Sequence, residues 1–191
     1  MNIWKVSANE GYNDAFLIDE HGEQRFEKIS DFTMIQNNPF LRNLEIRTKE
    51  KGFPDVMNYY GIGGTIIVSK KLKSILEQNY ENLNIQFLPC ICSQYPNIDL
   101  WILNVCEYHN VLDMNNSIFR KTINLHNIEV IRSVKKYVFM NLAFDLDLFK
   151  IYLGNRKYAT YLFISDRFKA LMEDNNITGL MLEKVYTVNT L

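Results

Sequence analysis

Ile66-Ile67-Val68-Ser69-Lys70-Lys71-Leu72-Lys73-Ser74-Ile75-Leu76-Glu77-Gln78-Asn79 and Leu162-Phe163-Ile164-Ser165-Asp166-Arg167-Phe168-Lys169-Ala170-Leu171-Met172-Glu173-Asp174-Asn175 read as one unit written twice. Each opens on an apolar run too short for a helix and rich in β-preferring residues. Each then places a serine where a helix N-cap is wanted, to accept a backbone N–H that the first turn leaves orphaned. Neither is a full capping box, because Leu72 and Phe168 occupy the position of the acidic or amide partner. Leu72, Ile75 and Leu76 share one helix face, and Phe168, Leu171 and Met172 repeat that stripe. Lys73, Glu77, Lys169 and Glu173 are expected to point to solvent. Turns at Glu81-Asn82 and Thr178-Gly179 lead into strands at Ile85–Leu88 and Leu180–Val185. The spacing therefore predicts two superimposable strand–helix–strand units.

Outward from these units the remaining segments read mainly as strands. Ile3–Val6 and Ala15–Ile18 are short apolar runs, and Asp19-Glu20-His21-Gly22 is a turn from which Gln24–Ile29 returns as a partner strand. Leu44-Glu45-Ile46-Arg47 alternates as a half-buried strand does. Tyr59-Tyr60-Gly61-Ile62-Gly63-Gly64 is a flexible lead-in to the first unit. Leu100–Tyr108 is one long strand, Asp113–Ser117 a loop, Ile128–Ile131 and Tyr137–Met140 further strands, and Phe149–Leu153 either strand or helix. No linker or low-complexity tract interrupts the chain. The expectation is a single α+β domain over 1–191, built on a mainly antiparallel sheet.

Nearly half the residues are apolar, enough for a sizeable core without disulfides or metals. The formal net charge of −1 argues against nucleic acid or an anionic membrane as the main partner. Acidic residues concentrate at the start, where Glu10, Asp14, Asp19, Glu20, Glu23, Glu27 and Asp31 face only Lys5, Arg25 and Lys28. That patch reads either as a steering surface for a basic partner or as a solvated hairpin face. Met1-Asn2-Ile3-Trp4-Lys5-Val6 does not read as a secretory signal, and no apolar run approaches membrane-spanning length. With three cysteines, an odd number, the expected compartment is a reducing cytoplasm.

Chemical motifs are weak. Gly61-Ile62-Gly63-Gly64 precedes a strand and lacks the lysine of a phosphate loop, so it reads as a backbone turn. Cys90-Ile91-Cys92 with Cys106 and His109 offers four zinc-binding atoms, but one intervening residue is too few for the usual ligand pair. The cysteines read better as small buried hydrophobes. Asp145-Leu146-Asp147 would set two carboxylates on one strand face, suited to a divalent cation or to an ordinary wet face. His21, His109 and His126 lie in separate segments with no nucleophile in a recognisable setting. No metal or other cofactor is expected. Phe53, Tyr59 and Tyr60 form an aromatic surplus around Pro54 and the glycines, serving either the core or an interface.

Several of these runs share an order with a known family. Gly52-Phe53-Pro54-Asp55, Ile67 to Lys73, Ile85-Gln86-Phe87-Leu88-Pro89, Leu103-Asn104-Val105, Val111 to Phe119, Phe163 to Lys169 and Ile177-Thr178-Gly179-Leu180 carry the likeness. Together they resemble a family of immunity proteins encoded beside bacterial polymorphic toxins, the eleventh of the numbered immunity families. The likeness covers residues 52–185, leaving 1–51 as a strand-rich N-terminal extension. The resemblance implies a cytoplasmic binding module that neutralises a cognate toxin encoded nearby, without catalysis of its own. The expected partner-binding residues are Phe53, Tyr59 and Tyr60 as anchors, with Glu20, Glu23 and Glu27 as steering charges. Two other classes stand beside it: a metal-dependent transferase or hydrolase using Asp145 and Asp147, and a small-ligand or regulatory module.

Overall fold

The computed structural model describes residues 1–18, 42–59 and 65–185. Strands β1 (Ile3–Ala8), β2 (Asp14–Ile18), β3 (Arg42–Arg47), β4 (Val56–Tyr59) and β5 (Ile66–Ser69) lead to helix α1 (Lys70–Asn79). Then come β6 (Ile85–Ile91), β7 (Leu100–Val105), β8 (Tyr108–His109), β9 (Ile118–Ile123) and β10 (Glu129–Lys136). A 3₁₀ turn at Asn141–Asp145 precedes β11 (Leu148–Leu153) and β12 (Arg156–Ser165), and helix α2 (Asp166–Asp174) and β13 (Leu180–Val185) follow. With two helices against mixed sheets, the class is α+β.

The strands form two bodies and a projecting hairpin. β2, β3, β6, β7, β5 and β4 close into a barrel in that order. A five-stranded sheet runs β13-β1-β12-β11-β8, and β9 with β10 makes a separate two-stranded ribbon. Most neighbours are antiparallel, with parallel pairs at β2–β4, β3–β6 and β8–β11.

The apolar runs at the quoted stretches lack alternation because both strand faces are covered. In β5, Ile67 points into the barrel with Leu44, Met57 and Ile102, while Ile66 and Val68 point out toward the helices. In β12, Leu162 and Ile164 face those same helices, and Phe163 faces the other way into an aromatic cluster. Phe163 stacks on Phe149 with centroids 5.7 Å apart, and Phe139 meets both rings edge-on. The shared layer between barrel and sheet is filled by Leu72, Ile75 and Leu76 of α1 and Phe168 and Met172 of α2. Lys73 and Lys169 depart from the solvent-facing expectation. Their ammonium groups lie over aromatic faces, Lys73 over Phe87 and Trp101 and Lys169 over Trp4 at 5.1 Å, and also pair with Glu77 and Glu173.

Four local readings are corrected. Of the lead-in expected at Tyr59–Gly64, Tyr59 instead ends β4, where it is buried with Val56 and Met57, and residues 60–64 lie outside the described residues. The long strand expected at Leu100–Tyr108 breaks after Val105, where the chain leaves the barrel, and Tyr108-His109 pairs in parallel with β11. Ile118–Ile123, which had no strand assignment, pairs with β10 along its length. Tyr137–Phe139 makes one isolated bridge, Leu112 to Phe139, instead of a ladder, and its aromatics pack the sheet face. The turn at Asp19–Gly22 and the return strand at Gln24–Ile29 lie outside the described residues.

Core truncation should expose the role of the two stripes. Leu76→Ala and Met172→Ala, at 0% and 1% exposure, should each cost about 2–5 kcal/mol in urea unfolding. A change below about 0.5 kcal/mol would place either side chain at the surface.

Gly179 gives a sharper backbone test. It has φ of +87°, and a Cβ there would sit 2.1 Å from the Val56 carbonyl oxygen and 2.5 Å from Pro54 Cβ. Gly179→Ala combines left-handed strain with a clash against backbone, for a loss of about 3 kcal/mol or more. Differential scanning calorimetry of the purified variant reads that loss directly.

Candidate functional site

Each helix begins at a serine that does two jobs. Ser69 Oγ accepts the Leu72 backbone N–H at 3.2 Å and donates to Asp55 Oδ1 at 2.8 Å. Ser165 Oγ accepts the Phe168 N–H at 3.1 Å and donates to Asp147 Oδ1 at 2.6 Å. The backbone repeats the tie, since Ser69 N–H donates to the Asp55 carbonyl and Ser165 N–H to the Asp147 carbonyl. Two residues into each helix a cation meets the same carboxylate. Lys71 Nζ lies 3.7 Å from Asp55 Oδ2, and Arg167 forms a forked pair with Asp147 through Nε and Nη2.

Both aspartates also reach the segment that follows the other helix. Asp55 Oδ2 accepts from the backbone N–H and the hydroxyl of Thr178, just after α2. The hydroxyl of Tyr80, the residue that ends α1, lies within the field of Asp147, and the Tyr80 ring stacks on Phe168 at 5.3 Å. Burial, then the adjacent Asp147 charge, pushes the Tyr80 phenol up to about 12, so it stays a neutral donor at physiological pH. Asn79 to Leu83, Asp147, Arg167 and Leu171 line an open depression of about 450 Å³ at this junction.

This geometry revises the carboxylate pair expected at Asp145-Leu146-Asp147. Asp145 ends the 3₁₀ turn and is exposed, Leu146 caps it, and Asp147 is buried at 6% exposure before β11 begins. The two carboxylates do not share a strand face. The oxygens of Asp147 are occupied by Ser165 and Arg167, which makes it a structural acceptor. Cys90 and Cys92 both point into the barrel core, and Cys106 is half-buried near β8. His109 meets Glu107 at 3.2 Å. Among the described residues, no group of three or more His, Cys, Asp and Glu side chains is placed to hold a metal ion.

The aromatic candidates divide. Phe53 is half-buried at one end of the barrel, its ring edge-on to Tyr95 with centroids 4.7 Å apart. Tyr59 is 4% exposed and fills the barrel interior beside Met57 and Ile67, so its ring acts on the core. Tyr60, Glu20, Glu23 and Glu27 lie outside the described residues.

Sequence reading missed Lys150. Its side chain is fully buried on β11, with Nζ 5.8 Å from the Tyr108 ring centroid and Cys106 and Lys157 nearby. Burial lowers its pKa from 10.5 to about 8, with the Cys106 thiol a smaller influence in the opposite direction. The only signal in the sequence was a lysine between two apolar residues, Phe149 and Ile151, which is also how a wet strand face is written.

Lys150 has a pH signature. Below about pH 8 it is charged in both folded and unfolded chains, and the full cost of burying that charge is present. Between about 8 and 10.5 the unfolded chain holds the proton that the folded chain has lost, so stability rises with pH. The gain is on the order of 3 kcal/mol, opposed above about pH 9 by Cys106 and above about pH 10 by Tyr80, Tyr108 and Tyr137, whose raised pKa values act in the other direction. Urea midpoints measured from pH 7 to 10 should rise in the wild type, and Lys150→Met should flatten that rise.

Residues 11–187 match the family model described as "Immunity protein family (Imm11)". Comparison with curated proteins returned no match. The matched span begins well before residue 52, so it takes in β2 and β3 and most of the segment expected to be an extension.

Proposed function

The chain belongs to the Imm11 immunity protein family, and on that premise we propose that it binds and neutralises a cognate toxin without catalysis of its own. The family match over 11–187 carries the reading. The engagement of Ser69, Ser165 and Asp147 in helix capping supports it, because polar groups that could have served chemistry are committed to holding the fold. The toxin is encoded nearby in a polymorphic toxin locus, and the protein meets it in the cytoplasm. No helix among the described residues is long and apolar enough to cross a membrane.

The same reading takes the two strand–helix–strand units as copies of one module. The matched partners of Ser69 and Ser165, and the Asn79 and Asn175 amides donating to the carbonyls of Ile75 and Leu171, support it.

Neutralisation requires complementary surface rather than reactive groups, and a standard interface buries roughly 1,600 Å². Protection at low copy number favours nanomolar affinity, about −12 kcal/mol. We assign anchoring to Phe53 and Tyr60, with Tyr59 holding that segment from inside the barrel and Glu20, Glu23 and Glu27 steering approach. Rim carboxylates act mainly on association rate, and loss of an aromatic anchor acts on dissociation.

Co-expression of the neighbouring toxin domain in a sensitive host tests both levels. Wild-type protein should rescue growth. Phe53→Ala/Tyr60→Ala should raise the dissociation rate more than tenfold, whereas Glu23→Gln/Glu27→Gln should slow association and weaken its salt dependence. Unchanged kinetics in the aromatic variant would remove this surface and leave neutralisation standing. Failure of well-expressed wild-type protein to bind or rescue would sink the function.

A further inference from the structure

We infer that the groove between β10 and β12 takes an extended, acidic segment of the toxin by strand addition, an inference that rests on the toxin-binding reading above. β9 and β10 form a ribbon outside both larger sheets, closed by a turn in which Asn124 Oδ1 accepts the N–H groups of His126 and Ile128. Phe119, Ile131 and Val134 seat the base of the ribbon on the aromatic cluster. Between the ribbon and β12 lies an open groove of about 570 Å³, walled by Glu129–Arg132 on one side and residues 155–160 on the other.

Among the described residues, both walls are strands with an unpaired edge. The one strand paired with β10 among the described residues is β9. β12 pairs with β11 along Arg156–Tyr158, but β1 joins its opposite side only from Leu162 to Ser165. Among the described residues, no strand therefore covers that side of β12 at residues 156–161. Such edges offer backbone donors and acceptors to an incoming extended chain. At about 3.3 Å per residue, either wall accommodates a segment of four to six residues.

Charge selects the occupant. Arg132, Arg156 and Lys157 line the groove, and the one carboxylate among the lining residues, Glu129, is engaged at 2.7 Å by Lys121. Arg132 and Arg156 are exposed, and Lys157 lies over the Tyr108 ring at 5.3 Å, so the selecting charge is that of the two arginines. Val130, Ile131 and Tyr158 supply apolar ground between these cations. A strand alternating acidic and apolar side chains satisfies both features, because its side chains alternate between the two faces.

The probe is the peptide acetyl-Glu-Val-Glu-Val-Glu-Val-amide, with its Lys-for-Glu counterpart as control, added to the full chain. Amide hydrogen exchange within 129–132 and 156–160 should slow at least tenfold with the acidic peptide and stay unchanged with the basic one. Arg132→Glu/Arg156→Glu should abolish that protection and weaken binding of the toxin domain at least tenfold, with near-wild-type thermal stability showing that the fold is kept. Full affinity and full rescue by that variant, where wild type also rescues, would overturn the groove and leave the toxin-binding function intact. Where wild type binds no toxin, the function falls, and the peptide experiment alone judges the groove. Protection of these amides only on concentration-dependent dimerisation would assign the groove to a second copy and overturn the inference.

Discussion

Two carboxylates hold the two helices in place, and each does so from both ends of the layer. Asp55 is bound to the start of α1 through Ser69 and to the segment after α2 through Thr178. Asp147 is bound to the start of α2 through Ser165 and Arg167, and its charge acts on Tyr80 at the end of α1. Hydrogen bonds to a charged acceptor are worth about 1.5–3 kcal/mol each, more than neutral ones, and removing one partner leaves a desolvated group behind. The arrangement is reciprocal, so displacing either helix strains the anchor of the other. Close backbone approach at Gly179 completes the joint, because only a residue without Cβ lets the post-α2 turn rest on the Val56 carbonyl.

That joint decides how the barrel and the sheet share a core. The helices insert Leu72, Leu76, Phe168 and Met172 between them, so β5 and β7 bury their outward faces as well as their inward ones. β12 is covered on both faces in the same way, by helices on one side and by Tyr137, Phe139 and Phe149 on the other. Lys150 shows the consequence. A strand that looks one-sided in sequence is closed over on both sides, and its lysine is carried inside at a cost that pH can relieve.

The strand–serine–helix pattern was legible because periodicity and capping are local. Ser69 and Ser165 sit at the caps where the sequence puts them, and the stripes of α1 and α2 face the core. What the caps hold was not legible, since Asp55 and Asp147 lie 14 and 18 residues before their serines. The same limit explains the Asp145-Leu146-Asp147 reading. Alternation is a valid signal for a strand, but a 3₁₀ turn that positions one carboxylate for a distant serine produces it too. β4 was hidden by its neighbours, the tyrosines and glycines that read as a loop, although Val56 and Met57 carry the core pattern. Barrel closure, with its parallel β2–β4 and β3–β6 contacts, depends on pairing between segments far apart in sequence and leaves no short-range trace.

A net charge near zero misleads about partners for a related reason. Screening confines a surface charge to about 8 Å at physiological ionic strength, so an approaching partner senses local fields rather than the sum. Of the acidic residues counted near the N-terminus, Asp14 is buried and paired with Lys49 at 2.5 Å, so it contributes little to an outward field. The β9–β10 ribbon, by contrast, exposes Arg120, Arg132 and Lys135, and the one carboxylate within its strands, Glu129, is engaged by Lys121. A toxin surface with one acidic strand edge would be drawn to the ribbon whatever the chain's overall charge, and vacant backbone edges in the groove would then fix its register.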